Sequence, residues 1–276
     1  MIITRDRLAL ALATATLFQF TSAPANAQRF DDTVSVRLEA YFAGIGSYAR
    51  LGNESGSLGT EISFEDDLRL SKSKVLPAVE IGWRVNDDWV VQGQYYALNR
   101  RREVNLDHEI SFGETVFPVQ ARVAAGFDSD VYRLTIGNLV HQSDRLELGI
   151  GAGIHGTHFN LFLEGEGQVG EGPVRFRREG RKIFAPLPTV GAFGQWQPAE
   201  RVTLFGRVDW LSLGIDDYHG RLINSEASLS YLVHRNIDIG VSYRFVDYRL
   251  RVEKDDWHGK VRYQFSGTAL FLRLGL

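Results

Sequence analysis

The sequence predicts an all-β protein: a transmembrane antiparallel up-and-down β-barrel of about ten strands, with eight and twelve as the alternatives. Three observations predict it. Apolar and polar residues alternate along most of the chain. Short polar breaks take turns with longer polar connections. The chain also ends in strand alternation, "TALFLRLGL", with Leu270, Leu272, Leu274 and Leu276 on one face and Arg273 on the other. Chain ends usually fray into polar tails unless tied down, so an apolar ending marks a strand that belongs to a wall.

Composition narrows the class. Of 276 residues, 44% are hydrophobic and 24% charged, which excludes a disordered chain. Gly (28) and aromatic residues (12%) suit strands joined by turns. There is no cysteine, which excludes a disulfide framework and a thiolate metal site. A net charge of -3 points to no nucleic-acid partner. The first element is "LALALATATLFQF" (Leu8 to Phe20), preceded by Arg5 and Arg7 and followed by small residues at Ala25 and Ala27. It is too short for a spanning helix and reads as a secretory signal cleaved before Gln28. Residues 1–27 are therefore the expected signal and residues 28–276 the barrel.

The barrel elements follow in order. Four breaks carry turn chemistry: "NDD" (Asn86 to Asp88), "QSD" (Gln142 to Asp144), "QPAE" (Gln197 to Glu200) and "HRN" (His234 to Asn236). Five connections on the other side are mostly longer: Arg50 to Lys74, Arg101 to Ala125, Glu164 to Gly180, Ile215 to Gly220 and Glu253 to Gly259. Four turns and five loops join ten strands. An even number puts both termini on the tight-turn side, expected to be the periplasmic one.

Each strand has an apolar and a polar parity. Val34, Val36, Leu38, Ala40 and Phe42 oppose Arg37, Glu39 and Tyr41. Val75, Pro77, Val79, Ile81 and Trp83 oppose Glu80 and Arg84. Trp89, Val91, Gly93 and Tyr95 oppose Gln92, Gln94 and Tyr96. Tyr132, Leu134 and Ile136 oppose Arg133. Leu146, Leu148, Ile150 and Ile154 oppose Glu147 and a row of glycines. Pro188, Val190, Ala192 and Trp196 mark a weaker strand. Val202, Leu204, Val208 and Trp210 oppose Arg207 and Asp209. Ile223, Ala227, Leu229, Tyr231 and Val233 oppose Glu226. Ile237, Ile239, Val241, Tyr243 and Phe245 oppose Asp238 and Arg244.

Lipid offers no hydrogen bonds, so a sheet within it must close on itself. One face then meets lipid and the other a polar interior. A soluble sandwich alternates too, but with shorter strands. Trp83, Trp89 and Trp196 lie beside the tight turns, where an interfacial aromatic girdle belongs.

The inward set predicted from parity is Arg37, Glu39, Glu80, Arg84, Arg133, Glu147, Arg207, Asp209, Glu226, Arg244 and Arg273. A barrel of this size has an interior little wider than side chains fill. Six arginines and five carboxylates there are expected to pair across it. Two readings stay open: a structural network that closes the lumen, and a narrow porin-like path with a charged constriction.

The signal, the turn-loop rhythm and the closing "TALFLRLGL" resemble bacterial outer-membrane β-barrel proteins over the whole of residues 28–276. "ISFEDDLRL" and "FGETVFP" are similar to a group of such proteins of unknown function, which implies no activity. The resemblance implies a Gram-negative outer membrane, contact with its lipid and lipopolysaccharide, and a monomer without cofactor. It also implies handling by the barrel-assembly machinery through the last strand, although Leu276 stands where that class usually ends in an aromatic. A non-enzymatic structural or surface-interaction role is the first expectation.

Two loops are near-copies, "IDDYHGRL" (Ile215 to Leu222) and "KDDWHGKV" (Lys254 to Val261), and two others share "EISF" at Glu61 and Glu109. Hairpin duplication accounts for both. Asp216, Asp217, His219, Asp255, Asp256 and His258 are the candidates for a rim site, holding a cation or activating water. Ten-stranded outer-membrane proteases carry acidic and His residues at the rim, a likeness of fold alone. Turn chemistry explains the same residues without a site. "HGTH" (His155 to His158) puts its histidines on opposite strand faces, a poor shared metal site. Ser242 and Ser266 lack identifiable His and acid partners, and "GEGQVGEGP" has no following helix and reads as a loop tip.

The last strand is expected to pair with residues 33–46. Val261, Tyr263 and Phe265 have the opposite parity to Leu270, so a bulge near Ser266 and Gly267 is expected to bring both sets onto the lipid face.

Overall fold

The computed structural model describes residues 32–52, 59–215, 218–254 and 257–276. The signal with Ala25 and Ala27 lies outside them, as do Asp216, Asp217, Asp255 and Asp256.

Ten long antiparallel strands form a closed ring: β1 (Val34–Leu51), β3 (Ser73–Arg84), β4 (Trp89–Asn105), β7 (Arg122–Gln142), β8 (Leu146–Gly167), β9 (Arg175–Ala199), β10 (Val202–Ile215), β11 (Tyr218–His234), β12 (Ile237–Lys254) and β13 (Trp257–Gly275). Each pairs with its neighbours in sequence order, and β13 pairs with β1 to close the ring. Three short elements complete it. β2 (Glu61–Ser63) pairs with the upper end of β1, and β5 (Ile110–Phe112) with β6 (Thr115–Phe117). The four short breaks are the four tight turns. Asn86 caps one of them, its side chain accepting from the amides of Asp88 (3.0 Å) and Trp89 (2.9 Å). Both described ends lie at this end of the barrel, where the Val34 amide donates to the Leu276 carbonyl at 3.1 Å.

The outward face is the apolar parity. Leu38, Ile81, Leu134, Ile150, Val190, Val208, Ile239 and Leu270 are all exposed. Trp83, Trp89 and Trp196 are about half exposed beside the tight turns. Tyr95, Tyr132, Trp210 and Tyr243 are exposed six to ten residues from the tight-turn ends of their strands. At ~3.3 Å per residue the apolar stretch from Val202 to Trp210 is ~26 Å along the strand. With the ~40° tilt usual in such barrels it spans ~20 Å, close to a membrane's apolar height. Strands β8 and β9 continue well beyond that band, so most of the "loop" at Glu164 to Gly180 is strand, and the one at Arg101 to Ala125 is made up largely of the ends of β4 and β7 with β5 and β6 between them.

Prolines shape two seams. The β9–β10 ladder stops at Val190–Trp210, although β9 continues to Arg175 and β10 to Ile215. Pro186 and Pro188 come next on β9 and have no N–H to give. The β3–β4 ladder stops at Ala78–Tyr96, next to Pro77.

Lipid-facing positions give a direct test of the wall. Leu134→Arg is expected to cost about 2–4 kcal/mol in a denaturant titration in vesicles, the penalty of a guanidinium in mid-bilayer. Unchanged stability would contradict the assignment of this face to lipid.

One expectation is corrected. No bulge occurs near Ser266 and Gly267: β13 runs in unbroken register with β12 and with β1 through both residues. Register shifts occur instead at Leu139/His141, Val202/Leu204 and Leu232/His234, all near tight turns. Val261, Tyr263 and Phe265 therefore keep their parity and point inward, at 5%, 2% and 0% exposure.

Candidate functional site in the barrel interior

The interior has two layers of different chemistry. The layer nearer the tight turns is ionic. Arg37 and Arg244 both reach Glu39 and Glu226, Arg37 at 2.7 and 2.8 Å and Arg244 at 3.0 and 3.1 Å. Two cations and two carboxylates thus form a ring across the lumen, all four buried. The β1–β13 register sets Arg37 opposite Arg273, and the β11–β12 register sets Glu226 opposite Arg244. The Arg37 guanidinium also stacks 3.8 Å from the Phe271 ring centre.

A second cluster holds Arg133, Arg207, Glu80 and Asp209. Arg133 is 3.3 Å from Glu80 and 3.4 Å from Asp209, and Arg207 is 2.9 Å from Asp209. Arg207 also donates to Gln92 and Thr135, each at 2.7 Å, and Asn224 donates to Asp209 at 3.1 Å. Closer to the turns, Arg84 meets Glu147 at 2.9 Å, which also accepts from Gln195 at 2.6 Å. Arg273 meets Asp32 at 2.8 Å and Asp238 at 3.0 Å. Buried charges need partners of opposite sign, and every carboxylate in these clusters has an arginine nitrogen within 3.4 Å. Glycines make room: a Cβ on Gly149 would sit 2.3 Å from the Phe193 ring. A cavity of 140 Å³ remains near the turns, bordered by Arg37, Arg84, Arg273, Asp32, Glu80 and Thr203.

The layer beyond is apolar, and parity analysis missed it. Phe127, Phe159, Tyr248, Tyr263 and Phe265 project inward from the wall and pack ring on ring. Tyr263 lies 4.1 Å from Phe265 and 5.1 Å from Phe127 between centroids. The buried hydroxyls have partners: Tyr248 donates to the Ala185 carbonyl at 3.3 Å, and Tyr263 pairs with Ser129 at 2.5 Å.

Two connections fold down onto this layer. Ile62, Phe64, Leu68 and Leu70 come from the first, and Ile110, Phe112 and Phe117 from the second; all are at most 3% exposed. Phe64 meets Phe127 edge-on at 5.1 Å. The two "EISF" segments are thus parts of one plug, with the Thr60 amide donating to the Ser111 carbonyl at 2.9 Å. Gly113 turns β5 into β6 at a φ of +61°, a conformation that suits glycine. Glu65 anchors the plug: its carboxylate accepts from the Ser47 amide (2.8 Å) and hydroxyl (2.7 Å) and pairs with buried Arg100. At the plug's surface Lys72, 2.7 Å away, hydrogen-bonds Asp66 and holds its carboxyl below the usual range. The signal for this layer was present in "ISFEDDLRL" and "FGETVFP", whose apolar residues are too many for a solvated loop.

The rim candidates are not gathered into a site among the described residues. His219 is exposed on the outward parity of β11, in register with Arg251, and His258 is on the outward parity of β13, in register with Glu253. Neither faces the interior, and no cluster of three metal-binding side chains occurs among the described residues. Asp216, Asp217, Asp255 and Asp256 lie outside them. His155 points inward and is buried, while His158 faces out against Phe184, 4.7 Å away.

A ring of ten antiparallel strands with an apolar outer belt and a charged interior defines the fold class of bacterial outer-membrane β-barrel proteins. No protein-family model and no curated protein sequence matches the chain. Solved structures do. The chain is similar to the outer membrane protease OmpT from Escherichia coli, at 12% identity, with 89% of this chain and 97% of that one covered and a TM-score of 0.57. It is also similar to the toluene transporter TodX of Pseudomonas putida, at 9% identity, 92% of each chain and a TM-score of 0.37. A third is Ail, the attachment invasion locus protein of Yersinia pestis, at 12% identity, 86% of this chain, 98% of that one and a TM-score of 0.30. These likenesses concern the fold.

Proposed function

We propose that the protein is a closed outer-membrane barrel of non-enzymatic role, structural or surface-interacting, in a Gram-negative envelope. Its tight turns and termini face the periplasm and its long hairpins the outside. Outer-membrane lipid surrounds it, the barrel-assembly machinery handles its last strand, and it works as a monomer. The observation that carries this reading is the double filling of the interior. A paired ionic layer sits beneath an aromatic layer, and the plug segments cover the second. A solute path would have to break both. The rim-hydrolase reading has no support from His219 and His258, which lie on outward faces.

Reconstituted protein is expected to show no steady conductance in a planar bilayer and no solute-dependent swelling of liposomes. Stable single-channel steps would overturn the closed-barrel reading and favour the narrow pore.

A further inference from the structure

Two ladders of the ring stop short on the outer side, β3–β4 at Ala78–Tyr96 and β9–β10 at Val190–Trp210. Side chains bridge the first gap: Arg100 donates to the Ser71 carbonyl at 3.0 Å, and Lys74 donates to the Asn99 carbonyl. Among the described residues, no hydrogen bond joins β10 to the Arg175–Thr189 stretch of β9. The outer part of β9 is therefore a free sheet edge, held by β8 alone from Gly167–Arg175 inward.

Ladder geometry says which backbone groups this leaves over. Along an antiparallel strand, successive residues direct their N–H and C=O to opposite neighbours. The Gln197 amide donates to the Arg145 carbonyl at 2.8 Å, and the β8–β9 register then runs unbroken from Leu146–Trp196 to Gly167–Arg175. The odd-numbered residues of β9 thus serve β8, and the even-numbered ones face the other way. Pro186 and Pro188 are even: they take N–H groups from the seam with β10 and none from the ladder with β8. Beyond them Phe176, Arg178, Gly180, Lys182 and Phe184 offer their N–H groups to no strand. Of their carbonyls, that of Gly180 accepts from the Arg181 guanidinium at 3.1 Å. Val190 is in register with Trp210 at the outer limit of the apolar belt, so Phe184 stands ~20 Å farther along the strand. The same even-numbered residues carry exposed side chains, Phe176 at 71% and Phe184 at 53%.

We infer that this edge of β9 takes up an extended acidic segment of another protein as an added strand; the inference deepens the surface-interaction reading above and rests on the outward placement of the long hairpins. In such pairing main-chain hydrogen bonds supply affinity and the side chains alongside supply selectivity. The free strand is the basic one, with Arg175, Arg177, Arg178, Arg181 and Lys182 against Glu179. The hairpin's other carboxylates, Glu164, Glu166 and Glu171, stand on β8 or in the turn. Arg178 pairs with Glu164 at 2.9 Å and Arg181 with Glu179 at 3.0 Å, while Arg175, Arg177 and Lys182 have no ion pair among the described residues. Asp216 and Asp217, between β10 and β11, lie outside those residues and are no part of this count. A second copy fits poorly. Antiparallel self-pairing about Gly180 sets Arg178 against Lys182 twice, and like charges directly opposite are destabilising. Charge on an edge strand guards against such self-association, and here it leaves an acidic strand as the fitting partner. The outward row is Phe176, Arg178, Gly180, Lys182 and Phe184. Its complement carries carboxylates opposite Arg178 and Lys182, a bulky residue over Gly180 and an apolar residue at each end.

The test uses the full-length protein purified in detergent and a dye-labelled synthetic peptide as long as residues 176–184, read by fluorescence anisotropy. The peptide has Phe at both ends, Asp opposite Arg178 and Lys182, Trp opposite Gly180 and Thr elsewhere; a second peptide has Asn in place of Asp. The acidic peptide is expected to bind at least fivefold more tightly. Lys182→Pro removes one edge N–H and leaves the β8 ladder whole, so it is expected to keep heat-modifiable gel mobility and to weaken binding about tenfold. If that variant does not fold, Lys182→Gln is expected to weaken the acidic peptide about threefold and the Asn peptide not at all. N-methylation of the peptide's Trp, whose N–H points at β9, is expected to weaken binding at least tenfold, and N-methylation of the preceding Thr less than twofold. Equal binding of the two peptides, equal effects of the two methylations, or unchanged binding by folded Lys182→Pro or by Lys182→Gln would overturn the inference. Displacement of both peptides alike by a sulfated polysaccharide would mark a general polyanion surface and overturn the strand assignment. The chain has no cysteine, so a Val169→Cys variant at the hairpin tip reports placement: no reaction with an impermeant maleimide on whole cells would sink the outward orientation on which the inference rests.

Discussion

A chain cut before Leu270 is expected to yield no folded barrel. Residues 270–275 pair on one side with Ser35 to Ala40 and on the other with Ile237 to Val241. Their loss leaves two strand edges with unpaired N–H and C=O groups in hydrocarbon, at several kcal/mol for each group. The cut also removes Arg273, which holds Asp238 and Asp32 in the full chain, so the ionic layer loses those pairs as well. The readout is heat-modifiable mobility after refolding into detergent or vesicles. A heat-modifiable band from the truncated chain would refute closure by this strand.

Arg244→Ala is the point substitution with the largest expected cost. Arg244 is 2% exposed and is the guanidinium shared by Glu39 and Glu226. Its charge also lies 5.4 Å from the Tyr41 ring and 5.9 Å from the Tyr96 ring, at the boundary between the ionic and aromatic layers. Removing it leaves two carboxylates with only Arg37 between them. Breaking a buried pair from one side costs roughly 3–5 kcal/mol, so denaturation in vesicles should shift by that amount. Adding Glu226→Gln to Arg244→Ala should recover part of the loss, since one stranded charge is then removed. A double variant no more stable than the single one would mean that the ring is not the unit that matters.

Leu38, Leu134, Ile150, Val208 and Leu270 face outward as their parity indicates, and the four polar breaks are the four tight turns. Lipid imposes that alternation on every strand it touches, so the pattern is strong near the turns. It fails further up the same strands. Val261, Tyr263 and Phe265 are as apolar as any lipid-facing residue, yet they are buried inside. The plug was legible only in part: Ile62, Phe64, Ile110 and Phe112 make their connections too apolar for solvated loops, but nothing local says that the two fold into one mouth. Of the rim candidates, His219 and His258 lie on the outward parity of β11 and β13, and Asp216, Asp217, Asp255 and Asp256 lie outside the described residues.

By itself, then, the sequence determined the wall: about ten strands in sequence order, their tight turns and which parity meets lipid over the apolar belt. Those properties follow from a period-two pattern and from turn chemistry, both of which are local. Only the tertiary structure decided what fills the ring. Apolarity reports that a side chain avoids water, not which water-free place it occupies. Lipid outside and a packed aromatic layer inside satisfy Phe265 equally well. The choice is made by the unbroken register of β13 against β1 and β12, a property of three strands together.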